Sequence, residues 1–153
     1  LSKDSFDLLR PATIADVPGI VHLIQPLEAA GTLVERSRER LENEIENFQV
    51  IELEGSVIAC AALYPITDSA GELACIAIDP AFRRHQLGAR LLDSLESLAR
   101  SKGLKELFVL TTVAAHWFLE RGFNESSPSA LPEQRQRLYN LQRNSKVLTK
   151  KLG

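Results

Sequence analysis

Two adjacent arginines, Arg83 and Arg84, stand between an apolar run at 73–78 and a leucine-rich stretch that Gly88 opens. Residues of those types in that order can hold an anion. The run L-A-C-I-A-I is apolar and partly β-branched, which predicts a buried strand. Pro80 ends it, because proline lacks the N–H that a strand ladder uses. After the basic loop at 83–86, Leu91, Leu92, Leu95, Leu98 and Ala99 recur at helical spacing. The first amides of a helix have no partner inside it, and the helix dipole favours negative charge there. Gly88 lets the backbone approach closely. The stretch from Arg83 to Ala89 is therefore read as the seat of a phosphate-bearing ligand. The same spacing also fits an ordinary strand–loop–helix connection, and spacing alone does not separate the two.

The elements that must position this stretch follow from periodicity and punctuation. Residues 7–11 predict a first strand, and Thr13 and Asp16 supply N-cap chemistry to a helix that tolerates Pro18 in its first turn. Ile20, Leu23, Ile24 and Leu27 form that helix's apolar stripe, which Pro26 is expected to kink or end. Ser37 is a plausible N-cap for a second helix carrying Leu41, Ile45 and Phe48 inward. Residues 50–53 and 57–64, joined through Gly55, read as a hairpin. A loop containing Asp68 and Gly71 leads to the strand at 73–78, and Gly103 closes the leucine-rich helix. A strand at 107–110, a short helix at 114–121 ended by Gly122, a strand opened by Phe123 and a last strand at 146–152 complete the order. Residues 133–138 predict a helical turn. The order β-α-α-β-β-β-α-β-α-β-β implies an α/β (α+β) fold, a mixed central sheet flanked by helices.

Composition bounds the function. At 153 residues with 44% hydrophobic composition, the chain is expected to be one domain with a real core. A net charge of −2 excludes sequence-independent affinity for nucleic acid. The acidic bias of 35–54 and the basic bias of 135–151 read mainly as solvated surface. Cys60 and Cys75 lie in apolar runs that look like neighbouring buried strands, so free thiols in a reducing cytoplasm are expected. His22, His85 and His116 are scattered without metal-ligand spacing, so no metal is expected. The longest apolar run, 57–66, is too short to cross a bilayer and contains Pro65, and no membrane partner is expected. No signal peptide is visible. The first residue is Leu1 rather than methionine, which leads to the expectation of a fragment or trimmed product.

The segment I-D-P-A-F-R-R-H-Q-L-G-A-R-L-L at 78–92 resembles motif A of the GNAT superfamily of N-acetyltransferases, an apolar strand, x-P, R-x-x-G-x-G and a leucine-rich helix. Gln86 stands where that motif's first glycine is usual, and Gly88 fills the second. H-W-F-L-E-R-G-F at 116–123 is similar to the superfamily's F-Y-x-x-x-G-F element, with Phe118 in the place of a tyrosine that often serves as general acid. Phe118 is accordingly read as core packing. Four further stretches resemble the C-terminal acetyltransferase domain of the bacterial N-acetylglutamate synthase family. They are L-I-Q-P-L-E-A-A-G-T-L-V-E-R-S-R-E at 23–39, C-A-A-L-Y-P at 60–65, G-E-L-A-C-I-A at 71–77 and L-Y-N-L-Q-R-N-S-K-V-L at 138–148.

This resemblance implies transfer of the acetyl group of acetyl-CoA to the α-amine of L-glutamate by direct attack in a ternary complex, the first step of arginine biosynthesis. It places acetyl-CoA along Cys75, Ile76, Ala77 and Ile78 and at Arg83, Arg84, Gln86, Leu87, Gly88 and Ala89. It places the glutamate carboxylates on Arg36, Arg135, Arg143 and Ser145, where an arginine fork suits a carboxylate. From the residues alone each of these arginines would be a surface charge. Glu72 matches the proposed base that takes the ammonium proton. A backbone N–H near Cys75 or Ile76 is expected to meet the thioester oxygen, and Thr111 matches a hydroxyl that serves the departing thiolate. A covalent acetyl-Cys75 is the chemical rival, but no histidine adjoins it in sequence. Full-length relatives carry a preceding amino-acid-kinase-like domain, so the 153 residues are expected to be a single acetyltransferase domain of a longer, homo-oligomeric cytoplasmic enzyme. Acetylation of another small amine, and a non-catalytic acyl-CoA-binding module, are the alternatives.

Overall fold

The computed structural model describes residues 7–133, 135–136 and 145–153, with the backbone alone described at Arg84 and His85. Among the described residues the main elements follow the expected order: β1 (Asp7–Pro11), α1 (Val17–Ala29), α2 (Arg38–Asn43), β2 (Phe48–Leu53), β3 (Ser56–Pro65), β4 (Ala70–Ile78), α3 (Leu87–Ser101), β5 (Glu106–Thr111), α4 (Ala115–Leu119), β6 (Asn124–Ser126) and β7 (Lys146–Lys151). The seven strands form a mixed sheet hydrogen-bonded in the order β1-β2-β3-β4-β5-β7-β6. The chain divides into two compact units. One holds residues up to Ala62 together with Cys75–Leu95, the other Leu63–Ala74 and residues from Glu96 onward.

In the first unit, β1 and β3 flank β2, both antiparallel to it. The β2–β3 hairpin turns on Glu54 and Gly55, at φ 50° and 84°. Positive φ at both central residues matches the right-handed twist of the flanking strands. Val17, Ile20, Leu23 and Ile24 bury one face of α1. At Gly19 a Cβ would stand 3.0 Å from Val57 Cβ, so the missing side chain admits β3 closely. Pro26 does not end α1, which runs on to Ala29. Proline removes one ladder bond, but burial of the stripe before it outweighs that loss. The second helix is shorter than expected: α2 stops at Asn43 and Phe48 enters the core from β2 instead. Pairing of Phe48 with Ala62 draws it into the strand. Ser37 Oγ does cap α2, accepting from Arg40 N–H at 3.1 Å.

An ion network closes the start of this unit. Arg10 grips Asp16 through Nη1–Oδ2 at 2.8 Å and Nη2–Oδ1 at 2.9 Å, and also reaches Glu52 Oε1 at 2.7 Å. Asp16 is buried and accepts from Thr13 N–H at 2.7 Å.

In the second unit, β4 and β5 run parallel, in register from Ala70↔Glu106 to Leu73↔Val109. β7 lies between β5 and β6 and is antiparallel to both. Gly71 lies in β4 rather than in the preceding loop. A Cβ there would stand 2.9 Å from Leu104 Cδ1 and 3.0 Å from Leu63 Cδ1, so the absent side chain makes room for two buried leucines. Phe118 is buried, edge-on to Phe123 at 5.2 Å and Trp117 at 4.9 Å, which is the packing role expected of it. The buried Glu96 carboxylate is met by Lys150 Nζ at 2.8 Å, which also donates to Arg121 O at 2.9 Å. Among the described residues, no helix is long and apolar enough to cross a membrane.

Hydrogen bonds from Arg10 are the main cause holding the Asp16 carboxyl below its usual value, desolvation opposes them, and Thr13 N–H assists them. A depressed carboxyl stabilises the fold above the unfolded carboxylate range and loses that contribution as pH falls through the folded value. Asp16→Asn should therefore lower the unfolding free energy at pH 7 by about 1.5–3 kcal/mol. The gap from wild type should shrink as pH drops below about 4, and denaturant titrations at pH 7 and pH 3 read both values.

Candidate active site

In the first unit, the stretch that the sequence marks for an anion is shaped by backbone. Asp79 N–H donates to Ile58 O at 2.8 Å, and Asp79 Oδ1 accepts from Ala81 N–H at 2.9 Å. Together they start a 3-10 turn, Pro80–His85, where the sequence predicts a plain loop. Its proline sits at the first position, where a missing N–H costs nothing. Gln86 then takes φ 56°, the left-handed conformation that glycine adopts freely. The residue that departs from motif A thus adopts the conformation expected of the glycine it replaces. Leu87 is buried and anchors the start of α3. Arg90 N–H bonds to Gln86 O at 3.2 Å, so the amides of Leu87, Gly88 and Ala89 come ahead of that helical bond. Those amides can turn to an anion. Arg83 is exposed, while the side chains of Arg84 and His85 lie outside the described residues.

Cys75 in β4 has φ 54°, which breaks the regular strand. The β4–β5 register ends at Leu73, so β4 continues to Ile78 beyond that ladder. Backbone groups of Cys75, Ile76, Ala77 and Ile78 are therefore not used in pairing with β5. Cys60 Sγ donates to Cys75 O at 3.4 Å, a weak bond that ties the irregular residue to β3. Both thiols are free and buried. Burial pushes Cys75 up to about 11, against the pull of the Arg36 charge, and pushes Cys60 higher still. Arg36 lies half-buried on the connector before α2. Its N–H donates to Glu28 Oε2 at 2.8 Å and its Nη1 to Val34 O at 3.1 Å.

In the second unit, Glu72 and Arg135 meet. Arg135 Nε donates to Glu72 Oε1 at 2.7 Å and Nη2 to Oε2 at 3.0 Å, and both residues are more than nine-tenths buried. The turn that carries Arg135 is formed by its N–H on Pro132 O at 2.8 Å. Leu131, packed with Ala70, Phe108 and Val147, pins that turn. Gln136 Nε2 donates to Leu131 O at 2.7 Å and steadies it further. Ser145 is buried just ahead of β7. Thr111 Oγ1, at the end of β5, accepts from Val113 N–H at 3.3 Å and Ala114 N–H at 2.9 Å, so its own proton can point elsewhere. Arg143, and the helical turn expected to extend to residue 138, fall outside the described residues in whole or in part. Among the described residues, no group of three or more His, Cys, Asp or Glu side chains is placed to hold a metal.

The pairing of Glu72 with Arg135 escapes sequence reasoning. The two lie 63 positions apart, and in sequence each points to its own partner, a proton for one and a ligand carboxylate for the other. No local pattern signals such a bond.

The first unit thus carries a strand–turn–helix start with Gln86 in the left-handed conformation, and the second a buried carboxylate paired with arginine. The family model for the acetyltransferase (GNAT) family matches residues 19–123, and the chain belongs to that family. It is 58% identical over 153 residues to an amino-acid acetyltransferase of Pseudomonas putida, matching 99% of this chain and 35% of that protein. One from Pseudomonas fluorescens is 57% identical over the same span. The chain thus spans about a third of the length of the curated relatives it matches. Its fold is similar to the N-acetylglutamate synthase of Neisseria gonorrhoeae complexed with coenzyme A and N-acetyl-glutamate. The TM-score is 0.93 at 41% identity, covering 97% of this chain and 35% of that one. A Mycobacterium tuberculosis protein in complex with CoA matches at TM-score 0.85 and 25% identity, covering 95% and 99%.

With its value near 11, Cys75 should be ionised to only about one part in 10³–10⁴ at pH 7.5. Incubation with acetyl-CoA should leave no acetyl group on Cys75 by peptide mass spectrometry, and iodoacetamide should alkylate it far more slowly in the native than in the unfolded protein.

Proposed function

We propose that this chain is the catalytic domain of an acetyl-CoA:L-glutamate N-acetyltransferase, producing N-acetyl-L-glutamate and CoA at the first step of arginine biosynthesis. The observation that carries the reading is the buried Glu72–Arg135 pair, a proton acceptor and a carboxylate-binding cation held together on an acetyltransferase fold. Likeness to a synthase crystallised with coenzyme A and N-acetyl-glutamate supports the choice of both substrates.

In this reading the phosphates of acetyl-CoA lie on the amides and basic residues of Arg83, Arg84, Gln86, Leu87, Gly88 and Ala89, and its pantetheine arm follows Cys75, Ile76, Ala77 and Ile78. Arg36, Arg135, Arg143 and Ser145 hold the two carboxylates of glutamate. Glu72 takes a proton from the substrate ammonium, directly or through water, and the amine attacks the thioester in a ternary complex. A backbone N–H at Cys75 or Ile76 stabilises the oxyanion that forms. Thr111, whose oxygen is engaged by two amides, offers its proton to the leaving thiolate. The chain acts as one acetyltransferase domain, in a longer cytoplasmic enzyme with an amino-acid-kinase-like domain that assembles as a homo-oligomer.

CoA release should depend on L-glutamate and fall sharply with L-aspartate, L-glutamine or no acceptor. Arg36→Ala and Arg143→Ala should each lower kcat/KM for glutamate by about 30- to 150-fold, the loss of one charged contact of about 2–3 kcal/mol. CoA binding without turnover of any acceptor would favour the non-catalytic module. Turnover of glutamate indifferent to both substitutions would favour another amine as substrate.

A further inference from the structure

Arginine presents five N–H donors in one rigid plane, enough for two carboxylates on two edges. Glu72 uses only one edge of Arg135, the side formed by Nε and Nη2. Nη1, on the remaining edge, is buried and has no hydrogen-bond partner among the described residues. A buried charged donor left unmatched is costly, so an unpartnered Nη1 next to a filled edge points to a second anion received there. Any carboxylate received there shares its cation with Glu72.

We propose that Arg135 is a positioning residue for Glu72, and that a carboxylate of the acceptor acts on Glu72 through it. This rests on Glu72 being the base of the acetyl transfer. With Nη1 unpartnered, the guanidinium gives its charge to Glu72 and holds both carboxylate oxygens in plane. A second carboxylate at Nη1 divides that charge, and the Glu72 oxygens become freer to accept a proton. An N–H bond of the substrate ammonium then breaks, the proton passes to Glu72 Oε, and the electron pair stays on nitrogen for attack. Anchoring of the acceptor and readiness of the base are thus carried by one side chain, and amines lacking a carboxylate leave the base engaged. Selectivity arises in kcat as well as in binding.

The decisive experiment follows the Arg135 Nε–H resonance in arginine side-chain ¹H–¹⁵N spectra, assigned by its absence in Arg135→Lys. Glutarate, which carries two carboxylates and no amine, serves as probe. The signal should sit where a carboxylate-bonded Nε–H sits, move on glutarate addition, and lose its response in Glu72→Gln. In steady-state assays Arg135→Gln should lower kcat about tenfold or more in addition to raising KM, whereas on the Glu72→Gln background it should cost no further kcat. Arg135→Lys should recover part of the binding and little of the kcat. An Nε–H signal that ignores glutarate, or an Arg135→Gln effect confined to KM and additive with Glu72→Gln, would overturn the proposal. The glutarate titration needs no turnover. A wild-type protein inert toward glutamate would therefore defeat the substrate reading, while the titration still decides the coupling.

Discussion

A carboxylate on an interior strand keeps its charge only when a cation or several donors meet it there, because desolvation otherwise costs several kcal/mol. Glu72 meets that condition through Arg135, and much of the second unit serves the meeting. Gly71 brings Leu104 and Leu63 against the strand beside Glu72. Leu131 seats the turn from which Arg135 projects, and the carbonyl of Pro132 receives the turn's hydrogen bonds. Removing either charged partner would strand the other in a dry interior, where the loss exceeds the net worth of the bond.

The first unit pairs its charges in the Arg10–Asp16–Glu52 network, while its strand–turn–helix segment at 75–89 offers backbone groups. Cys75 takes an irregular φ of 54° where β4 has passed the end of its β5 register, and Gln86 takes φ 56° just before α3. Amide donors are neutral and carry no side-chain entropy, so they can face a phosphate or a thioester oxygen without being ion-paired beforehand. The thiol at Cys75 is incidental to this arrangement. Its carbonyl is bonded to Cys60, and burial holds its proton in place.

Element order was legible because period-2 and period-3.6 patterns are local, and so were the turn residues Gly55, Gly103 and Gly122. The misjudged points are those where tertiary contacts override local preference. Gly71 belongs to β4 rather than to the loop before it, and Phe48 belongs to a strand because a partner strand claims it. For the site, the residues of motif A carry a local signature, strand, proline and helix start. Arg135 has none, since by composition it reads as one more charge in a basic tail, yet it is buried. The links Glu72–Arg135, Glu96–Lys150 and Asp16–Arg10 depend on which distant strands become neighbours, or on side-chain direction, and neither is written in a spacing.

Gln86 carries a further implication for the proposed phosphate seat ahead of α3. A residue with a Cβ in the left-handed region is strained by roughly 1–2 kcal/mol relative to glycine. It also samples far fewer conformations than glycine when unfolded. The loop before α3 therefore settles its conformational cost during folding, within the fold's own stability, and little ordering is left for the moment of encounter. A glycine at this position would move part of that cost into the binding equilibrium. In the proposed reading, the departure from the family pattern thus exchanges a looser, adaptable phosphate loop for one that is stiff beforehand.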